Sequence, residues 1–280
     1  MADAHTLAVT GATGRLGGRI ARRLADRGIP LRLAVRTPAR APELPNATAV
    51  ACSYDRPDQV REALTGIETV LMVSGSETPD RVEQHRTFID AAAAAGVGRL
   101  VYISFAEASP TATFTLARDH AATEEHLHAS GLTPIVLRDN FYLDFLPALV
   151  EADGVIRGPA GEGRVAAVAQ DDIADAAAAV LADPAPHDGR TYRLTGREAL
   201  TLAEAASRIG RHRGTEVRFE NQTVEEAYRS RAGQAPDWQL DAWVSTYTAI
   251  AAGELAEVTD DIPTLTGHPA LTLDDVLART

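Results

Sequence analysis

The chain has 280 residues, 45% of them apolar, and a formal net charge of −12. That length buries a large core in one α/β domain or in one domain with a smaller unit appended. No run approaches the roughly 20 apolar residues of a membrane helix, and arginines scattered among carboxylates argue against a nucleic-acid partner. All 27 basic side chains are arginine, so any mechanism that needs a lysine is excluded. Cys52 is the lone cysteine and excludes an intramolecular disulfide, while the opening MADAHTLAVT has neither a basic n-region nor an apolar h-region. A cytoplasmic address is the expectation.

Short β-branched runs alternate with longer helical patterns as far as Arg138. TLAVT (6–10), LRLAVR (31–36), ATAVAC (47–52), TVLMV (69–73), RLVYIS (99–104) and TPIVLR (133–138) are almost continuously apolar, as buried parallel strands are. Helices are predicted over 15–28, 57–65, 79–95 and 117–130, each stopping near Gly28, Gly66, Gly96 or Gly131. Strand and helix in alternation give a doubly wound sheet.

After Arg138 the alternation breaks. Residues 151–170 are Gly-rich and read as a turn-laden excursion, followed by a helix over 171–181, a strand TYRLT (191–195) and a helix over 201–212. From about 220 the chain is mostly helical and carries Trp238 and Trp243. The expected organisation is a sheet domain over 1–150, with later returns to it at about 165–197, and a small lobe built mainly from 151–280 over the C-terminal edge of the sheet, where ligands of such folds lie.

TGATGRLGG (10–18) follows the first strand at once and opens the first helix. In that context Gly11 permits a tight turn, Gly14 lets the backbone approach a pyrophosphate, and Gly17 lets helix and sheet pack closely. The helix start supplies free N–H groups from Thr13 through Arg15 to Leu16. At the end of the second strand stand Arg36 and, four residues on, Arg40, with no Asp or Glu between them. Two guanidiniums suit a 2′-phosphate, so NADP(H) is favoured over NAD(H); the alternative is a pair of solvated surface arginines. Tyr54 and Asp55 after the third strand are expected at the adenine edge, and Val73, Ser74 and Gly75 after the fourth along the nicotinamide half.

GATGRLGG (11–18), AVRTPAR (34–40), CSYDRP (52–57), VYISF (101–105), HAATEEHL (120–127), LRDNFYLDFL (137–146) and EVTDDIPTLTGHP (257–269) together resemble the NmrA-like family of atypical short-chain dehydrogenases/reductases, in its quinone oxidoreductase 2 and triphenylmethane reductase branch. The resemblance spans essentially the whole chain. It implies a Rossmann-type α/β fold with a small, mostly helical C-terminal substrate lobe, NADPH held by the loop and Arg36, and reduction of quinones or other conjugated acceptors. Some NmrA-like members bind the cofactor as redox sensors without catalysis.

Ordinary short-chain dehydrogenases donate a proton from a Tyr whose pKa a Lys four residues later lowers. Here the two slots fall on Leu116 and His120. Isoflavone-reductase relatives place a lysine where His120 stands, and an imidazole can donate a proton near neutral pH. Glu124, four residues on, can orient that ring or raise its pKa, although His120, Glu124 and His128 also fit the wet face of an amphipathic helix. About 12 Å of helix between His120 and His128 argues against a metal site. Ser104, Asn140 and Tyr142 are further donors for the anion that forms on hydride addition, and Phe141, Tyr142 and Phe145 are candidates for an aromatic wall.

Three readings follow: an NADPH-dependent reductase of quinones or similar conjugated small molecules, an NADP(H)-binding sensor acting through a protein partner, and a tailoring reductase of secondary-metabolite ketones or enones. The first and third have a small-molecule substrate as partner and need neither nucleic acid nor membrane; a homodimer is compatible with all three.

Overall fold

The structure is a computed structural model and describes residues 5–279. The first four residues, part of the opening that suggested a cytoplasmic address, lie outside the described residues.

Six strands run through the first half: β1 (Leu7–Thr10), β2 (Leu31–Val35), β3 (Ala47–Ala51), β4 (Thr69–Val73), β5 (Arg99–Phe105) and β6 (Thr133–Asp139). Between them lie α1 (Arg15–Asp26), α2 (Pro57–Leu64), α3 (Arg81–Ala94) and α4 (Thr115–Ala129), while β2 and β3 are joined through a 3-10 turn at Pro38–Arg40. The second half has β7 (Val155–Gly158), β8 (Arg164–Val165), α5 (Gln170–Ala182), β9 (Thr191–Leu194), β10 (Leu200–Thr201), α6 (Leu202–Arg213) and β11 (Arg218–Asn221). It ends with α7 (Val224–Arg231), α8 (Asp237–Ala251), α9 (Asp261–Thr266) and α10 (Leu273–Leu277).

The main sheet has seven strands in the order β3-β2-β1-β4-β5-β6-β9. Strand β1 runs parallel to both β2 and β4, β2 to β3, and β4 to β5. The chain therefore winds one way from β1 to β3 and the other way from β4 onward, so the crevice for a ligand lies beyond the C-terminal ends of β1 and β4. The strand expected at 191–195 joins this sheet as its seventh member. No helix among the described residues is long and apolar enough to cross a membrane.

Two compact units share the chain, and their segments alternate along it, with a late return to the first unit where one was expected at about 165–197. The first comprises residues 1–104, 119–138 and 173–192; the second comprises 105–118, 139–172 and 193–280. The physical reason is where apolar side chains go. Ala106, Leu143, Leu146, Ala167 and Ala169 join the second unit's core with Ile209, Ile250 and Leu273, whereas Phe88, Leu100, Tyr102 and Leu127 pack in the first. Residues 151–170 are also more ordered than a run of turns. Strand β7 pairs in parallel with β11, and β8 antiparallel with β10; both partners come much later in the chain, beyond the reach of a local pattern.

In the first unit, α4 turns His120, Thr123, Glu124 and Leu127 inward. Glu124 does not contact solvent as an amphipathic wet face would. Its Oε1 accepts from Ser104 Oγ at 2.5 Å and from Arg138 Nε at 2.9 Å, and its Oε2 accepts from Arg138 Nη2 at 2.6 Å. The forked contact ties α4 to the ends of β5 and β6. Truncation of the carboxylate removes these three hydrogen bonds and takes the acceptor from a buried hydroxyl. Glu124→Ala is therefore expected to lower the free energy of urea unfolding by about 1.5–3 kcal/mol, the range for hydrogen bonds to charged groups. A loss below about 0.5 kcal/mol, typical of neutral surface positions, would show the tie to be dispensable.

Candidate functional site

The turn after β1 is shaped by two glycines. Gly11 takes φ +65°, in the left-handed region, and a Cβ there would also meet Val73 Cβ at 3.0 Å. Gly17 has an ordinary φ, but a Cβ on it would fall 2.3 Å from the Gly11 carbonyl oxygen. Helix α1 thus lies against the turn that precedes it. Gly14 N–H donates to Gly11 O at 2.9 Å, and no side chain caps α1 at Gly14. The first-turn N–H groups of the helix are left to a ligand, with the positive end of its dipole behind them.

A cavity of about 370 Å³ opens over this turn. Of the residues expected to hold a cofactor, it is lined by Gly11, Thr13, Gly14, Arg36, Tyr54, Asp55, Val73, Ser74 and Gly75. Arg15, Leu16 and Gly17 do not line it: Leu16 and Gly17 are buried, and Arg15 is exposed outside the lining. Arg40 does not line it either, since Pro38 starts a 3-10 turn in place of the helical turn that would have set Arg40 above Arg36. Cys52, Ser53, Ser76, Thr78 and Gln84 also contribute to the lining, without any motif to single them out.

These residues fit a dinucleotide. A Cβ on Gly14 would find only Gly11 O, at 3.3 Å, so a phosphate can approach the backbone there. Arg36 directly follows β2, is exposed, and forms no ion pair among the described residues. An unpaired guanidinium at the cavity rim suits a second phosphate group.

Tyr54, expected at the adenine edge, also holds the sheet end together. Its hydroxyl donates to Val73 O at 2.6 Å, which makes Thr10 Oγ1, 2.6 Å away, the donor to Tyr54; Val73 N–H in turn donates to Thr10 Oγ1 at 2.9 Å. The three bonds close a ring joining the ends of β1 and β4, and burial raises the pKa of the phenol. Asp55 accepts from Ser53 Oγ at 2.5 Å.

His120 is buried, 6% exposed, with both ring nitrogens engaged. Arg81 Nη2 donates to Nε2 at 2.9 Å, so the neutral ring carries its proton on Nδ1, which donates to the Tyr102 hydroxyl at 2.9 Å. Burial holds its pKa well below the usual imidazole range, and Arg81 pushes it the same way. Both expectations for this residue therefore need correction: Glu124 neither orients nor raises it, and a neutral imidazole locked inside is no proton donor at neutral pH. His128 turns its Nδ1 to the backbone oxygen of Glu124 at 2.6 Å, and no cluster of three metal-ligating side chains occurs among the described residues.

Other expected donors are occupied as well. Ser104 is fully buried and spends its hydroxyl on Glu124, which its place at a strand end did not foretell. In the second unit Asn140 is buried; its Nδ2 donates to Leu255 O at 3.1 Å and its Oδ1 accepts from Phe141 N–H at 2.7 Å. Tyr142 is half-buried, donates to Asp139 Oδ2 at 2.6 Å and lies against Phe145 with ring centroids 5.3 Å apart. Phe145 is 38% exposed, whereas Phe141 packs on the second unit's core and leaves the expected aromatic wall. Leu116 is buried.

His85, on α3, is a second neutral histidine that sequence patterning did not single out. It is fully buried, and burial together with Arg81 lowers its pKa to about 3. In the unfolded chain both histidines titrate near 6.5, so below that pH the unfolded state binds more protons than the folded one. The stability linked to these rings is complete above about pH 6.5 and is lost as pH falls, for His85 down to about 3. Each ring should add a slope of about 1.4 kcal/mol per pH unit to the urea-unfolding free energy within that window. His85→Gln and His120→Gln should each flatten the slope between pH 4 and 6; an unchanged slope in both would show the rings to be charged in the fold.

A family described as NAD(P)H-binding matches residues 11–184. Quinone oxidoreductase 2 of Escherichia coli (strain K12) is 34% identical over 98% of this chain and 98% of its own length. The crystal structure of the NADPH-dependent quinone oxidoreductase QOR2 from Escherichia coli, complexed with NADPH, superposes with a TM-score of 0.90 over 98% of this chain and 99% of that one, at 32% identity. NAD(P)H azoreductase of Xenophilus azovorans is 31% identical over 94% of each chain. Triphenylmethane reductase of Citrobacter sp., complexed with NADP(H), superposes with a TM-score of 0.87 over 98% of this chain and 99% of that one, at 28% identity. The chain belongs to the NAD(P)H-binding family.

Proposed function

We propose that this protein is an NADPH-dependent reductase that transfers hydride to a quinone or a similarly conjugated small molecule. The observation that carries the reading is a dinucleotide cradle in a chain that has no proton-donating Tyr–Lys pair: Gly11, Gly14 and Arg36, which forms no ion pair among the described residues, line the cavity, while Leu116 is buried and lysine is absent. Whole-length similarity to quinone oxidoreductase 2 supports it.

Bound NADPH supplies the hydride from its nicotinamide ring. The chain's own part begins with the α1 N-terminus, whose free N–H groups would hold the pyrophosphate, and with Arg36, which would hold the 2′-phosphate. With no Asp or Glu between Arg36 and Arg40, nothing there repels that phosphate. Hydride addition to a quinone leaves a delocalised, phenolate-like anion, far less basic than a simple alkoxide, so water can protonate it. A hydrogen bond to the anion suffices.

In an absorbance assay, NADPH should be oxidised when a small quinone is added, and Gly14→Asp, which sets a carboxylate where the phosphate sits, should abolish the rate. Tight NADPH binding without acceptor-dependent oxidation across a quinone panel would overturn the reductase reading. Arg36→Ala should raise the NADPH dissociation constant about 10- to 100-fold and leave that for NADH nearly unchanged, as befits the loss of a charge-assisted contact worth about 1.5–3 kcal/mol. Equal losses for both cofactors would remove Arg36 from 2′-phosphate recognition.

A further inference from the structure

The segment Val73–Gly75 lines the cavity, and its backbone is held at both ends by side chains from other elements. At Val73 the ring through Thr10 and Tyr54 takes both the N–H and the carbonyl. At Gly75 the N–H donates to His85 Nε2 at 2.8 Å. A nitrogen that accepts from an amide carries no proton, so neutral His85 bears its hydrogen on Nδ1 and donates it to Thr123 Oγ1 at 2.9 Å. Thr123 Oγ1 passes the direction on, donating to Asp119 O at 2.8 Å. The relay runs one way from the cavity wall into α4.

Alternatives within this relay are closed by geometry. A protonated His85 would aim an N–H at the Gly75 N–H and break the contact; Arg81 is the charged group that acts on it, and Tyr54 and Tyr102 flank its ring with centroids 6.1 and 5.9 Å away. Gly75 itself leaves room for this approach, since a Cβ there would come within 3.3 Å of His85 Nε2. Because the Gly75 N–H and the Val73 carbonyl are both spent inward, neither faces a ligand.

We propose that His85 is a positioning residue for the cofactor: as a neutral acceptor it fixes the Gly75 amide, so that the Val73–Gly75 wall of the cavity is formed before NADPH binds. The inference rests on the reading of this cavity as the NADPH site. A preformed wall spares the ligand the ordering of a loop, and that saving appears as affinity. It does not depend on the 2′-phosphate, so it applies equally to NADPH and NADH.

Two substitutions separate acceptor from donor. In His85→Gln the amide oxygen reaches the place of Nε2 and can still accept from Gly75; in His85→Asn the shorter side chain keeps the donor to Thr123 and loses the acceptor. Hydrogen exchange at the Gly75 amide in the ligand-free protein should accelerate in the Asn variant and stay close to wild type in the Gln variant. Titrations followed by nicotinamide fluorescence should show NADPH and NADH both weakened about tenfold by Asn, equivalent to about 1.4 kcal/mol, and largely restored by Gln. If the wild type binds NADPH and the Asn variant binds it as tightly, or if Gln and Asn weaken it alike, the positioning role is overturned and the NADPH reading stands. If the wild type binds neither nucleotide, the NADPH reading itself fails and takes this role with it, whatever the exchange at Gly75.

Discussion

The distance between α1 and the turn before it is the constraint on which the cofactor cavity depends. With no side chain on Gly17, the helix can lie against the Gly11 carbonyl; a single Cβ there would sit 2.3 Å from that oxygen. Overlap of that size cannot be absorbed by a rotamer change, because the obstacle is backbone, and relief would require the helix to move away. Movement of α1 would carry its uncapped N-terminus away from the end of β1 and from Val73, which packs against Gly11. Phosphate recognition by backbone N–H groups is steep in distance and angle, so packing at Gly17 and chemistry at Gly14 are the same requirement met at successive turns of one helix.

Beneath the cavity lies a second requirement, a buried polar layer in which every assignable proton has a direction. Gly75 donates to His85, His85 to Thr123 and Thr123 to a backbone carbonyl; Arg81 donates to His120 and His120 to Tyr102. Both histidines are neutral and both accept through Nε2. The low dielectric that strengthens such chains also makes a wrong protonation state costly, and this is why the layer can hold a cavity wall in place and cannot exchange protons with substrate at neutral pH.

Much of this was legible in the sequence where a local pattern reports on a local structure. All six early strands and four early helices fall near their expected positions, because continuous apolar runs and terminal glycines are properties of neighbours in the chain. Gly11, Gly14 and Gly17 were legible for the same reason. The pairings of β7 with β11 and β8 with β10 were not, since each joins residues with no sequence relation. The 3-10 turn that opens at Pro38, with Arg40 outside the cavity lining, was not legible from the spacing of the two arginines. The histidines carried a signal that was available: in α3 the buried positions Arg81, His85, Phe88, Ile89 and Ala92 follow helical spacing, and in α4 Leu116, His120, Thr123 and Leu127 do so too. Apolar residues at such spacings place the polar ones between them on the inner face. His85 was overlooked because a lone histidine in a helix has no motif.

Helix α4 shows what becomes of a catalytic element when its chemistry is removed. In the short-chain dehydrogenase pattern it would present a phenol and an ammonium; here the same two slots hold a buried leucine and a locked imidazole, and the next turn is given to a carboxylate forked on Arg138. An ammonium lowers the pKa of a neighbouring phenol by its charge, and no neutral group can substitute for that effect. The loss removes the means of protonating an alkoxide as it forms and leaves intact the means of holding NADPH. What such a site can still reduce is set by the acceptor: the negative charge that arrives with hydride must be carried by the acceptor's own conjugation. A quinone, whose reduced form is an aromatic phenolate, meets that condition by its own electronic structure, and an isolated ketone does not.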